Sequence, residues 1–170
     1  MRKRDIVTLF DFSYWASRQL LSAAANGPVE EFTAPATITY RSLRGTLVHT
    51  LDVERSWRLR LQGEHPERWE TPLTDEDHPT VAALAERWSA DESTMRAWLE
   101  SLTDEDLEAV AHIGTADRFP LWYYLVHIVT HSEQQRRDAA ILLAHCGHVA
   151  PDTEFLYYAD ACHQKPSSAP

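Results

Sequence analysis

The chain has 170 residues, of which 44% are hydrophobic and 25% are charged, and its formal net charge is -10. This length suits one globular domain, and the acidic balance argues against nonspecific binding to nucleic acid or to anionic lipid. No stretch approaches the roughly 20 apolar residues that cross a bilayer, and no apolar run follows the basic start as in a signal peptide. The 2 cysteines do not form a disulfide framework, so we expect a cytoplasmic protein without nucleic-acid or membrane partners.

Four segments have the hydrophobic spacing of amphipathic helices. They span residues from about 5 to 25, 42 to 62, 80 to 102 and 120 to 145. Asn26-Gly27-Pro28 ends the first helix, with Gly27 expected in the left-handed conformation, and Cys146-Gly147 ends the fourth. The pattern predicts an all-α four-helix bundle at residues 1–160, followed by a flexible tail at residues 161–170.

The apolar positions of each predicted helix define the expected core. They are Ile6, Phe10, Tyr14, Leu21 and Ala24; Leu43, Leu47, Leu51 and Trp57, with Glu54 on the same line; Val81, Leu84, Trp88, Met95, Leu99 and Leu102; and Leu121, Leu125, Ile128, Ala139 and Leu143. Residues 63–79 and 103–119 are predicted to be loops, the second with a short extended piece at 110–113. The acidic run at 103–106 is interpreted as a solvated helix start, and the aromatic cluster at 155–158 is expected to pack on the bundle.

Three of the 9 histidines lie inside predicted helices, namely His49 on the second helix and His127 and His131 on the fourth. At 100° per residue, Gln135 lies about 50° from the core direction of the fourth helix, His131 about 90° and His127 about 130°. His131 and Gln135 therefore form the i, i+4 pair that best faces the interior. His127 is turned further toward solvent or toward a neighbouring subunit.

Histidines in this arrangement are typical of a metal site. Two imidazoles one turn apart can ligate one ion, because the Cβ atoms of an i, i+4 pair lie about 5–6 Å apart. A third ligand from another helix then leaves one position open for water or substrate, as in catalytic metal sites. The alternative is that each ring simply hydrogen-bonds a backbone carbonyl. The spacing alone leaves both interpretations open.

Five segments match a known family in order and spacing. They are residues 10–21, 43–49, 54–57, 121–131 and 138–143, the last followed by Cys146-Gly147-His148. Together they resemble the DinB/YfiT-like superfamily of four-helix bundles. The resemblance implies an up-down-down-up topology, a long connection between the second and third helices, and a homodimer in many members.

The resemblance also implies a ligand set. It assigns the metal ligands to His49, His131 and position 135, where the family pattern has a histidine and this chain has Gln135. A glutamine offers only a neutral amide oxygen, which is a weaker ligand than imidazole for zinc-like ions. His127 therefore remains the alternative third ligand. The implied cofactor is a divalent metal ion, first Zn or Ni and then Mn or Fe, with Asp138 either orienting a ligand or serving as a surface carboxylate.

Two functions follow from the resemblance. The first is a metal-dependent enzyme, a thiol S-transferase or a hydrolase, acting on a small-molecule substrate such as a low-molecular-weight thiol. The second is a non-catalytic small-molecule-binding or stress-response bundle, in which the metal site is degenerate because of Gln135. Whether the protein is an enzyme at all is left open by the sequence.

Overall fold

The computed structural model describes residues 1–35, 38–114 and 118–163. Within these residues the protein has eight helices and no strand. The helices are α1 (Lys3–Ala25), α2 (Val29–Thr33), α3 (Leu43–Leu61), α4 (Pro66–Glu70), α5 (Val81–Ser101), α6 (Asp104–Glu108), α7 (Leu121–His145) and α8 (Phe155–His163). The predicted all-α class is therefore confirmed. Among these described residues, no helix combines the length and the apolar character that a membrane crossing requires.

The four predicted helices correspond to α1, α3, α5 and α7, and each begins and ends within two residues of the prediction. Hydroxyl side chains define two of the starts. Ser42 accepts a hydrogen bond from the Gly45 N–H at 3.0 Å, and Thr80 accepts one from the Ala83 N–H at 3.2 Å. Each of these bonds satisfies a backbone donor that has no partner inside the first helical turn.

The glycines at two helix ends act differently. Gly147 has a φ of 84°, the left-handed conformation that closes a helix, and it ends α7 as predicted. Gly27 does not adopt a positive φ, so that part of the prediction is wrong. A Cβ at position 27 would instead lie 2.8 Å from Nε2 of His148. The paired side chains of Glu31 and His148 therefore approach Gly27 closely.

The four long helices form a ring in the order α3, α7, α1, α5, and the lighter contact between α5 and α3 closes it. α1 runs antiparallel to α5, because Lys3 at the start of α1 pairs with Glu100 at the end of α5. α3 runs antiparallel to α7, because Trp57 near the end of α3 contacts Tyr124 near the start of α7. The ends of α1 and α7 meet at Gly27, so these two helices run in the same direction. α3 and α7 are consequently neighbours on the side of the ring away from the α1–α5 pair.

Most of the residues that the hydrophobic spacing of the sequence predicts for the core are buried in the interior. Of the predicted core residues, all are buried except Trp57, Val81 and Leu102, which are partly buried against the same core. The aromatic cluster after α7 packs on the bundle only in part: Phe155 and Tyr158 of α8 contact Phe12, whereas Leu156 and Tyr157 are exposed. Apolar burial on this scale is the main favourable term in folding.

The predicted loops were too simple in two places. The segment at 63–79 contains α4, and the segment at 103–119 contains α6. α6 begins at the acidic run, where Thr103 and Asp106 cap each other's backbone N–H groups, as expected for a solvated helix start. Of the predicted tail at 161–170, α8 covers residues to His163, and the remaining seven residues lie outside the described part of the chain.

Candidate functional site

His49 and His131 face each other across the contact between α3 and α7. Their ring centroids are 5.4 Å apart, and the rings meet edge to face at 71°. Both side chains are half-buried. The antiparallel packing of α3 on α7 therefore joins two histidines that are 82 positions apart in the chain (131 − 49 = 82).

The environment keeps both imidazoles neutral near neutral pH. Burial, together with the positive charges that His49, His127 and Arg41 would place nearby, lowers the pKa of His131 from 6.5 to about 4. Burial and Arg41 lower the pKa of His49 as well. A neutral imidazole has a free nitrogen lone pair, which is the form that binds metal ions.

One nitrogen of this pair has no partner. Nδ1 of His131 is buried and makes no hydrogen bond within the described residues. A buried polar atom without a partner costs about 1–3 kcal/mol, so such atoms are rare in folded proteins. The interpretation that the histidine is simply satisfied by a neighbouring group therefore does not fit this nitrogen.

His127 lies at the edge of the pair. Its side chain is exposed, its ring centroid is 6.2 Å from that of His131, and its ring stands edge to face on Trp57 at 5.4 Å. Its orientation toward solvent agrees with the helical angle that the sequence assigns to it. Packing against Trp57 accounts for this histidine without a ligand.

Gln135 lies one turn beyond His131 on α7 and is half-buried. No hydrogen bond joins it to His49 or His131 within the described residues, and Asp138 makes none to this pair either. In the part of the chain that the structure describes, no three His, Cys, Asp or Glu side chains are grouped to hold a metal ion. The ligand set predicted from the sequence therefore remains a prediction.

The separation of the two rings is close to that of two imidazoles that share one ion. Zinc–nitrogen bonds are about 2.0–2.1 Å long, and two rings bound to one tetrahedral ion have centroids roughly 5 Å apart. The observed 5.4 Å is close to this value.

A cavity of about 310 Å³ opens beside His49. Arg41, Asp52 and Leu73 are among its walls. Asp52 is held in place, because its carboxylate accepts the Leu73 N–H at 2.9 Å. His49, and not His131, lines this cavity, whose walls also carry one guanidinium, Arg41, and two carboxylates, Asp52 and Asp75.

A polar layer, which the sequence did not reveal, crosses the bundle interior beside the histidines. Glu54 is 4% exposed and accepts a hydrogen bond from the Ser132 hydroxyl at 2.8 Å. Arg136 is 1% exposed and contacts Ser13, with 2.8 Å between its Nη1 and the hydroxyl oxygen. The sequence contains one indication of this layer, because Ser132 and Arg136 lie at helical spacing on the apolar stripe that begins at Ile128. An arginine on an apolar stripe indicates a buried charge.

Glu54 should make stability depend on pH. Burial, partly opposed by the Ser132 hydrogen bond and by Arg136, raises the pKa of Glu54 from 4.5 to about 7. Between these values the folded protein keeps a proton that the unfolded chain releases. Stability therefore falls as the pH rises through this window, by up to about 3 kcal/mol.

Glu54→Gln tests this linkage, because an amide has no proton to lose. We expect the variant to gain stability relative to the unsubstituted protein as the pH rises from about 5 to about 8, measured by urea unfolding. Glu86→Gln, at an exposed position of α5, is the control and should leave the pH profile unchanged. A Glu54→Gln protein that loses relative stability at high pH would show that ionised Glu54 is stabilised by Arg136.

The fold and the site define a helical bundle with a histidine pair between two adjacent helices. The sequence model of the DinB family matches residues 1–166, and the chain belongs to this family. No curated protein matches the chain. The resemblance noted from the sequence motifs is thereby confirmed over nearly the whole chain.

Proposed function

We propose that this DinB-family protein is a metal-dependent enzyme in which His49 and His131 bind one divalent cation. The observation that carries the proposal is the buried Nδ1 of His131, which has no hydrogen-bond partner in the described residues. The lowered pKa values of both rings support it, because neither imidazole must lose a proton near neutral pH before binding an ion. A bound divalent cation lowers the pKa of a water or thiol that it ligates.

Gln135 is the better of the two predicted third ligands. It lies one turn from His131 toward the interior, whereas His127 is exposed and packs on Trp57. Two imidazoles with one neutral oxygen favour Zn or Ni over Mn, since Mn prefers carboxylates and other oxygen ligands. Gln135 should therefore give a weaker site than a third histidine.

The surroundings of His49 support a thiol substrate. Arg41 is close enough to lower the pKa of both histidines, and it also lines the adjacent cavity. A guanidinium in this position stabilises a thiolate over a thiol, although Asp52 and Asp75 in the same cavity oppose part of that effect. We therefore propose a thiol S-transferase that uses an anionic, low-molecular-weight thiol, with a hydrolase as the alternative reaction.

One observation favours the non-catalytic alternative. The described residues contain no group of three His, Cys, Asp or Glu side chains at this place. A bundle that binds a small molecule in the cavity beside His49, without an ion, is consistent with that finding. The two candidates differ in whether His49 and His131 bind metal.

Metal titration distinguishes them. Isothermal titration of Zn²⁺ and Ni²⁺ into stripped protein should give about one ion per chain, and His49→Ala or His131→Ala should remove that binding. His145→Ala is the matched control, because His145 is exposed at the end of α7 and should not affect the titration. Equal binding by all four proteins, or none by the unsubstituted chain, would contradict the metal-dependent function.

A further inference from the structure

A groove lies between α1 and α5, away from the histidine pair. Its volume is about 750 Å³, within the range of about 300–1,000 Å³ that small-molecule sites occupy. Leu21, Val81, Ala85 and Trp88 form apolar parts of its wall. Because His49 and His131 lie on α3 and α7, this groove is separate from the site proposed above.

Small side chains on both helices leave this space open. Ser22 and Ala25 of α1 face Ala82 and Ser89 of α5 along the groove. Elsewhere on the same two helices, large side chains such as Phe10 and Leu84 fill the interior. The small side chains of both helices therefore create the groove. Small residues alone do not indicate a ligand.

Ser17 supplies the second observation. It lines the groove, is 1% exposed, and its hydroxyl oxygen has no hydrogen-bond partner in the described residues. A serine in a helix commonly bonds the carbonyl one turn earlier, as Thr50 does with Thr46. A buried hydroxyl that makes no such bond leaves a donor and an acceptor unsatisfied at the wall of the groove.

The charges around the groove cancel one another. Arg18 and Arg96 both pair with Glu92, at 2.8 Å in each case, and Arg96 also pairs with Asp11. Two cations and two anions are thus joined in one chain of ion pairs. A charged ligand would have to compete with these pairs, whereas a neutral ligand would leave them intact.

From these features we infer that the α1–α5 groove binds a neutral, mostly apolar small molecule that carries a hydroxyl or carbonyl group. The apolar body lies against Leu21, Ala85 and Trp88, and the polar group hydrogen-bonds the Ser17 hydroxyl. This site is independent of metal binding at His49 and His131. It gives the protein a second ligand class, unlike the anionic thiol proposed for the other side of the bundle.

Two-dimensional ¹H–¹⁵N NMR of the intact chain with 2-naphthol tests this inference. We expect saturable shifts of α1 and α5 amides along the groove and of the Trp88 indole. Ser17→Ala should weaken 2-naphthol binding about two- to tenfold, the effect of one hydrogen bond. The same substitution should leave binding of naphthalene, which lacks the hydroxyl, unchanged.

A groove-filling variant and its control complete the test. Ala85→Phe should abolish 2-naphthol binding, while Ala90→Phe, at an exposed position of α5 outside the groove, should not. Circular dichroism checks that both fold, and Ser17→Ala removes only an unsatisfied hydroxyl.

The inference is overturned if no saturable shifts occur, if they centre on His49 and His131, or if Ser17→Ala affects both probes equally. It is also overturned if light scattering shows a dimer that Ala85→Phe dissociates, since a second copy would then cover the groove.

Discussion

Arg136→Ala is expected to lower the free energy of unfolding by about 2–5 kcal/mol, the range for truncating a long buried side chain to alanine. The guanidinium of Arg136 is 1% exposed and bonds Ser13 and Glu133. Its loss leaves a cavity and deprives the buried Ser13 hydroxyl of its donor. The loss also removes a buried cation that lowers the pKa of Glu54.

Urea unfolding at one pH measures this effect, and Arg137→Ala is the matched control. Arg137 is the next residue of α7, its side chain is 71% exposed, and it pairs with the same Glu133. Its removal should cost no more than about 1 kcal/mol. If both substitutions lower the free energy of unfolding equally, Arg136 does not lie in the interior and the register of α7 is wrong.

Gln135→His is expected to tighten Zn²⁺ binding by at least about 10-fold. Changes in groups that only orient a metal ligand alter affinity by about 10–100-fold, so replacing an amide oxygen with an imidazole should do at least as much. The variant places two histidines one turn apart on α7, opposite His49. Titration of the stripped proteins under one set of conditions measures the ratio.

Gln134→His is the control for this substitution. Gln134 is exposed and adjacent in sequence, so a histidine there adds a metal-binding group without facing His49. It should leave the affinity of the site unchanged. An equal gain from both variants would mean that surface histidines bind the ion, and no gain from Gln135→His would exclude position 135 as a ligand.

The sequence predicted the long helices well because their signals are local. Hydrophobic spacing and capping residues set the bounds of α1, α3, α5 and α7, and tertiary packing then buried the same residues. α2, α4 and α6 were missed because five residues are too few to show a helical period. Gly27 was misinterpreted because its neighbour in the fold is the distant residue His148, which no local pattern contains.

The site was predictable only in part. Helical angles correctly placed His131 at the edge of the buried face and His127 toward solvent. They did not reveal that Glu54 bonds Ser132, since that bond depends on how α3 and α7 pack. The groove beside Ser17 was not predicted for the same reason, because it is a space between two helices and depends on how they pack.

The most direct test of the central proposal is anomalous X-ray diffraction from crystals of the protein grown with Zn²⁺. We expect one anomalous peak per chain between α3 and α7, about 2.0–2.1 Å from an imidazole nitrogen of both His49 and His131. His131→Ala crystals should lack that peak. A peak bound by neither histidine, or no peak between these helices, would contradict the proposed metal site.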